Sequence, residues 1–209
     1  AKSGWSKLTV ETTEDQFKSS MEQSMTLSRG GINIAIKVTT EFVETKDGKP
    51  VSVKTSQEAM GQVSVTTWMF KEKEIMTVSE AGGTPITKVI PAPAKPWLTP
   101  QAVKRLFVEQ MNAERTVITY STMSPELGIK PVTVVMTKKG EELQDVYGEN
   151  IMISLWDSEN DVMPITSREK YRSDGLSVGS SMNAGFGNIE TTITSKHEAL
   201  SPLNEIPEL

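Results

Sequence analysis

The chain has 209 residues, with 27 Asp and Glu against 22 Lys and Arg, a formal net charge of −5 and no cysteine. These totals exclude disulfides, thiolate metal sites and a cysteine nucleophile, and they argue against a basic surface for phosphate backbones, so no nucleic-acid partner is expected. No apolar run approaches the roughly 20 residues that cross a bilayer as a helix, and Ala1-Lys2-Ser3-Gly4-Trp5 lacks the apolar core of a signal peptide.

Period-two alternation dominates the first 90 residues and predicts a β meander. Leu8 and Val10 alternate with Lys7, Thr9 and Glu11, and a polar turn follows over 12–15. Phe17, Met21, Met25 and Leu27 begin at helical spacing and end in alternation; strand is favoured, because the run flows into the hairpin signal Ser28-Arg29-Gly30-Gly31. Ile32, Ile34, Ile36 and Val38 form the clearest strand pattern, and runs over 39–45 and 51–60 flank Asp47-Gly48, where a type I′ turn with two positive-φ residues is expected. Val63, Val65, Thr67 and Met69 alternate again, and runs over 75–79 and 85–90 read as a hairpin across Ala81-Gly82-Gly83.

The prolines at 91, 93 and 96 forbid a central strand and favour an extended segment, read as a rigid connector or, alternatively, a docking peptide. One amphipathic helix is expected over about 99–112. Thr99 would be its N-cap and Pro100 its first residue, with Val103, Leu106, Phe107 and Met111 on one face. Strands then resume over 116–122, over 131–137 and 141–147 as a hairpin turning at Lys139-Gly140, over 150–156, over 162–165, and finally over 176–180 and 189–194. The fold expected is mainly β: one antiparallel domain over 1–200 whose meander forms a curved sheet or half-barrel with the helix packed on it, then a linker or tail over 201–209.

Candidate chemistry is sparse. His197, the only histidine, would serve as a general base or metal ligand if partners converged on it; a solvated histidine is the plainer expectation. Asp157, Glu159 and Asp161 alternate as the first carboxylates of a calcium loop do, but Val162 stands where that loop needs glycine, and a polar hairpin tip explains the same residues. No catalytic set and no cofactor site are expected. Contacts with a ligand or partner are assigned to Trp97, Phe107 and Met111 around the helix, and to Met182 and Phe186 in the glycine-rich stretch 179–187. The methionines in strand-like runs fill a core or line an adaptable apolar groove.

Several segments fall in a telling order: Gly4-Trp5-Ser6-Lys7-Leu8, the run from Thr40 through Asp47-Gly48-Lys49-Pro50 to Ser52, Gly61-Gln62, the proline-rich stretch with its helix, Ala113-Glu114-Arg115-Thr116-Val117, Trp156-Asp157, Gly175-Leu176 and Lys196-His197-Glu198-Ala199-Leu200. This order resembles the region preceding the transglutaminase-like domain of bacterial envelope proteins, notably of the planctomycete type. The resemblance implies a non-catalytic module in a periplasmic or extracellular setting, partnered by a downstream catalytic domain. That domain's Cys-His-Asp triad has no counterpart in these residues. A second similarity, of architecture alone, is to periplasmic lipoprotein-carrier folds and implies a hydrophobic ligand.

Overall fold

The computed structural model describes residues 2–29, 32–81, 83–125, 128–183 and 187–203. Its chain divides into two compact units, one of residues 1–94 with 196–209 and one of residues 95–195. The boundary falls within the proline-rich stretch, whose rings deny the backbone donors that would carry a strand onward. Each unit has its own antiparallel sheet, and neither sheet closes into a barrel.

The first unit contains β1 (Gly4–Thr12), β2 (Gln16–Arg29), β3 (Ile32–Thr45), β4 (Pro50–Ala59), β5 (Gln62–Phe70), β6 (Glu74–Ala81) and β7 (Ile86–Pro91), paired strictly in chain order, followed much later by the single-turn helix α2 (Lys196–Ala199). β2 is strand throughout. The four-residue spacing of Phe17, Met21 and Met25 equals two strand periods, so it keeps those side chains on one face as surely as it would on a helix. The pairing registers carry one row across all seven strands: Leu8, Met21, Thr40, Thr55, Thr66, Ser79 and Ile86. Two rows nearer the 45–50 turn hold the buried core of the unit, in which Phe42, Val53 and Ile75 pack beside a fully buried Glu44, and Phe42 stacks on Phe70 with ring centroids 6.5 Å apart.

Turn chemistry differs from expectation at Asp47-Gly48. Only Gly48 has positive φ, Gly48 N–H donates to the Thr45 carbonyl at 3.0 Å, and the β3–β4 register slips beside it, so the loop is a three-residue type I turn with a glycine bulge. The two-residue left-handed turn lies one hairpin later, at Met60 (φ 52°) and Gly61 (φ 77°), between Ala59 and Gln62.

The second unit begins with Leu98, whose N–H donates to the Ser121 carbonyl at 2.7 Å and whose carbonyl accepts from the Thr122 hydroxyl at 2.9 Å. These bonds pin the approach to α1 (Pro100–Asn112), which starts at Pro100 as expected, with Thr99 in the N-cap position but making no side-chain capping bond. α1 ends in a Schellman pattern: Arg115 N–H reaches the Gln110 carbonyl, Glu114 N–H reaches that of Met111, and Glu114 takes the left-handed position. The sheet comprises β8 (Val117–Met123), β9 (Pro131–Val146), β10 (Glu149–Asn160), β11 (Ser167–Tyr171), β12 (Ser177–Asn183) and β13 (Asn188–Thr192), again in chain order.

Three expectations are corrected here. Lys139-Gly140 is not a turn but a bulge inside one 16-residue strand, with Leu155 opposite Gly140 and Trp156 opposite Lys138. Asp157 and Glu159 are not at a hairpin tip but in β10, and the strand that follows is Ser167–Tyr171 rather than 162–165. The hairpin turn of this region lies instead at Tyr147 (φ 57°) and Gly148 (φ 83°), between β9 and β10, where the sequence reading expected none.

Candidate binding surfaces

In the first unit, alternation sorts the side chains of β1–β3 by face. One face carries Leu8, Val10, Met21, Met25, Leu27, Ile32, Ile34, Ile36 and Val38, and the other carries Lys7, Lys18, Glu22, Lys37 and Glu41, with Lys7–Glu22 and Lys18–Glu41 ion pairs across the strands. The apolar face is only partly covered: Leu8 is 58% exposed and Met21 40%, with Val10 exposed in the next row, and Ile32, 64% exposed, stands apart at the far end of β3. Leu8, Val10 and Met21 form one exposed apolar cluster, which the Ser6–Gln23 row separates from Ile32; exposed apolar clusters mark interaction surfaces.

The second unit buries its core under α1. Phe107 points from the helix onto Trp156, edge to face at 5.1 Å, and onto Tyr171 at 4.6 Å, with Ile118 and Met136 completing the cluster. Trp156 is fully buried, and its indole Nε1–H donates to Ser154 Oγ at 2.9 Å. Beneath the helix, Glu169 accepts from Ser167 Oγ at 2.8 Å, yet its burial holds the carboxyl above the usual glutamate range. Burial, with the Glu169 charge adding to it, pushes the Tyr120 hydroxyl up to about 12 and raises Tyr171 as well. The groups are locked into the core, so the cluster is a structural polar layer rather than an exposed acid–base pair.

Beside the end of α1 an open cleft of about 450 Å³ is lined by Met111 and Asn112 of the helix, Lys138 and Glu141 around the β9 bulge, Glu149 to Ser154 of β10 (Asn150 excepted), Trp156, and Tyr171 to Ser173. Lys138 pairs with Glu141 at 2.6 Å and Arg172 with Asp174 at 3.1 Å, whereas Glu149 has no ion-pair partner among the described residues.

The residues singled out in the sequence fall in different places. Phe107 is core, Met111 lies between core and cleft and accepts from Ser154 Oγ through its sulfur at 3.7 Å, Trp97 is half-buried ahead of α1, and Met182 is exposed on β12 opposite Ile189. Phe186 lies outside the described residues. Asp157 is held by Arg168 and Lys139, which lower its pKa, the Arg168 hydrogen bond most; Glu159 accepts from Thr166 at 3.1 Å, and Asp161 accepts from the Thr133 N–H at 2.8 Å. The three carboxylates thus have separate partners, and no group of three or more His, Asp or Glu that could hold a metal occurs among the described residues. His197 is exposed on α2. Sequence reasoning passed over Tyr171, Glu169 and Arg172, because Ser-Arg-Glu-Lys-Tyr carries no apolar alternation; only Tyr171 at its end signals an inward face.

No family model, curated protein or solved structure matches the chain.

Proposed function

We propose that this chain is a non-catalytic binding module of a transglutaminase-like bacterial envelope protein, working outside the cytoplasm, and that the apolar face of β1–β3 is where it packs on its catalytic neighbour or on a substrate protein. The observation that carries this reading is the exposed cluster of Leu8, Val10 and Met21 on one face of a sheet whose opposite face is charged. Covering one such side chain contributes about 1.5–3 kcal/mol relative to leaving it in water. The ordered segment resemblance supplies the identity of the neighbour.

The test is to produce the chain joined to whatever follows it in its own reading frame and to compare amide exchange in β1–β3 with that of the isolated chain. Added protection there, lost in a Leu8→Lys, Met21→Lys double variant, is the expected result. Unchanged exchange, or a reading frame that stops directly after Leu209, would count against the assignment.

The same face favours a second reading, a carrier of an acyl chain, because Met21 and Met25 supply adaptable side chains among the branched aliphatics. Displacement of a fluorescent fatty acid by unlabelled palmitate, abolished in the same double variant, selects that reading over the first.

A further inference from the structure

β10 runs past the end of its neighbour. β11 stops at Tyr171, opposite Ser154, while β10 continues to Glu149 paired only with β9, from Glu149 opposite Val146 to Ile153 opposite Glu142. Over 149–153 one edge of β10 therefore has no strand beside it, and no backbone hydrogen bond from another described segment reaches it. Backbone donors and acceptors on a strand edge are obligatory hydrogen-bonding groups, and an unguarded edge is a template for another strand.

The outer edges β8 and β13 end the sheet. The 149–153 edge instead opens into the cleft beside the end of α1, which explains why that cleft is lined from both faces of β10, by Ile151 and Ile153 on one and Met152 and Ser154 on the other. Met111 and Met152 give it apolar walls that continue the core cluster outward. Its charges are unequal: Lys138 is neutralised by Glu141 and Arg172 by Asp174, which leaves the Glu149 carboxylate uncompensated at the mouth.

We propose that this edge is a strand-addition site for an extended peptide segment of a partner protein. The peptide pairs its backbone with β10 over 149–152, short of the fully buried Ile153, places an aliphatic side chain between Met111 and Met152, and sets a lysine or arginine against Glu149. Main-chain bonds supply the affinity and the two pockets the selectivity, as in other strand-addition modes. The site lies in the second unit and does not depend on the face of β1–β3.

The experiment uses the full chain and a blocked pentapeptide, acetyl-Thr-Val-Lys-Ile-Thr-amide, followed by the amide signals of 149–152 and the methyl signals of Met111 and Met152 in NMR. Saturable shifts at both sets of positions are expected, with slowed amide exchange over 149–152. A version N-methylated at alternate residues, unable to donate along one edge, is expected not to bind. Glu149→Gln is expected to weaken the parent peptide about three- to five-fold, the size of one solvent-exposed ion pair. Absence of the shifts, equal binding of the N-methylated peptide, or equal binding of a peptide with Glu in place of Lys would each overturn the proposal. Self-association that protects 149–152 without added peptide would overturn it in favour of a second copy of the chain.

Discussion

Lys2 and Ser201 are joined by two hydrogen bonds, the Lys2 ammonium donating to the Ser201 carbonyl at 2.9 Å and to its hydroxyl at 3.1 Å. The same ammonium donates to the carbonyls of Glu198 at 2.7 Å and Ala199 at 2.6 Å. A helix of one turn cannot persist through its own hydrogen bonds, and its terminal carbonyls favour a cation. Lys2 is thus the external cap that makes α2 a helix and fastens it near β1.

Replacing Lys2 by Met keeps the stem and removes the charge. The amides of Leu200 and Ser201, which donate to the Lys196 and Glu198 carbonyls, are expected to lose about 1–2 kcal/mol of exchange protection, roughly tenfold in rate. Hydrogen exchange read residue by residue checks this; undiminished protection at both amides would refute the capping role.

Met60 and Tyr147 occupy the same left-handed position in two hairpins, and the structure predicts opposite responses to asparagine. Met60 is 79% exposed with nothing to lose, so Met60→Asn is expected to stabilise by about 0.5–1 kcal/mol through the backbone preference of the turn. Tyr147 donates its hydroxyl to the Thr194 carbonyl at 2.7 Å, a bond worth about 1 kcal/mol that Asn forfeits, so Tyr147→Asn is expected to be neutral or destabilising. Urea unfolding of the two variants in parallel separates the cases.

Phe107 is the helix residue that holds α1 to its sheet. Phe107→Ala removes the contacts to Trp156 and Tyr171 and is expected to destabilise the second unit by about 3–5 kcal/mol. The fluorescence of Trp156 reports the loss directly, and an unchanged unfolding midpoint would mean that α1 contributes little to that core.

Glu169 gives a pH dependence whose sign follows from its burial. Its folded pKa is raised above the unfolded value, so the stability it contributes is complete below the ordinary glutamate range and is lost as pH rises through the folded pKa. Above the ordinary glutamate range the buried carboxyl is therefore a liability beneath α1, and Glu169→Gln is expected to raise the melting temperature at pH 7. The advantage should vanish below about pH 4, where Glu169 is protonated in the folded and the unfolded parent alike. A variant that melts lower than the parent at pH 7 but matches it at pH 4 would show that the charge itself is needed.

Much of this architecture is legible in the chain. The alternation through Ile32, Ile34, Ile36 and Val38 is strand because no other regular structure places every second residue on one side, and Pro100 opens α1 because the first helical position needs no backbone donor. β11 was not legible, since a strand of polar residues is made by its neighbours' hydrogen bonds and not by its own pattern. Lys139-Gly140 misled for a related reason: glycine marks a break in side-chain packing, and a bulge and a turn share that mark. The exposed patch on β1–β3 was half legible. Alternation tells that Leu8, Met21 and Ile32 share sides with their neighbours, but not whether anything covers them. The β10 edge depends on where one strand stops beside another, a relation between segments that no single stretch of residues carries.

Both sheets order their strands as the chain does, each pairing with the one made just before it. On a ribosome, every hairpin of the first unit can zip as it emerges, with short loop closures and no waiting for distant partners. α2 is the exception, because it belongs with residues synthesised almost 200 positions earlier. The ammonium of Lys2 must wait until residues 198–201 have been translated, so that clamp is a late native contact of the first unit and a natural place for its unfolding to begin.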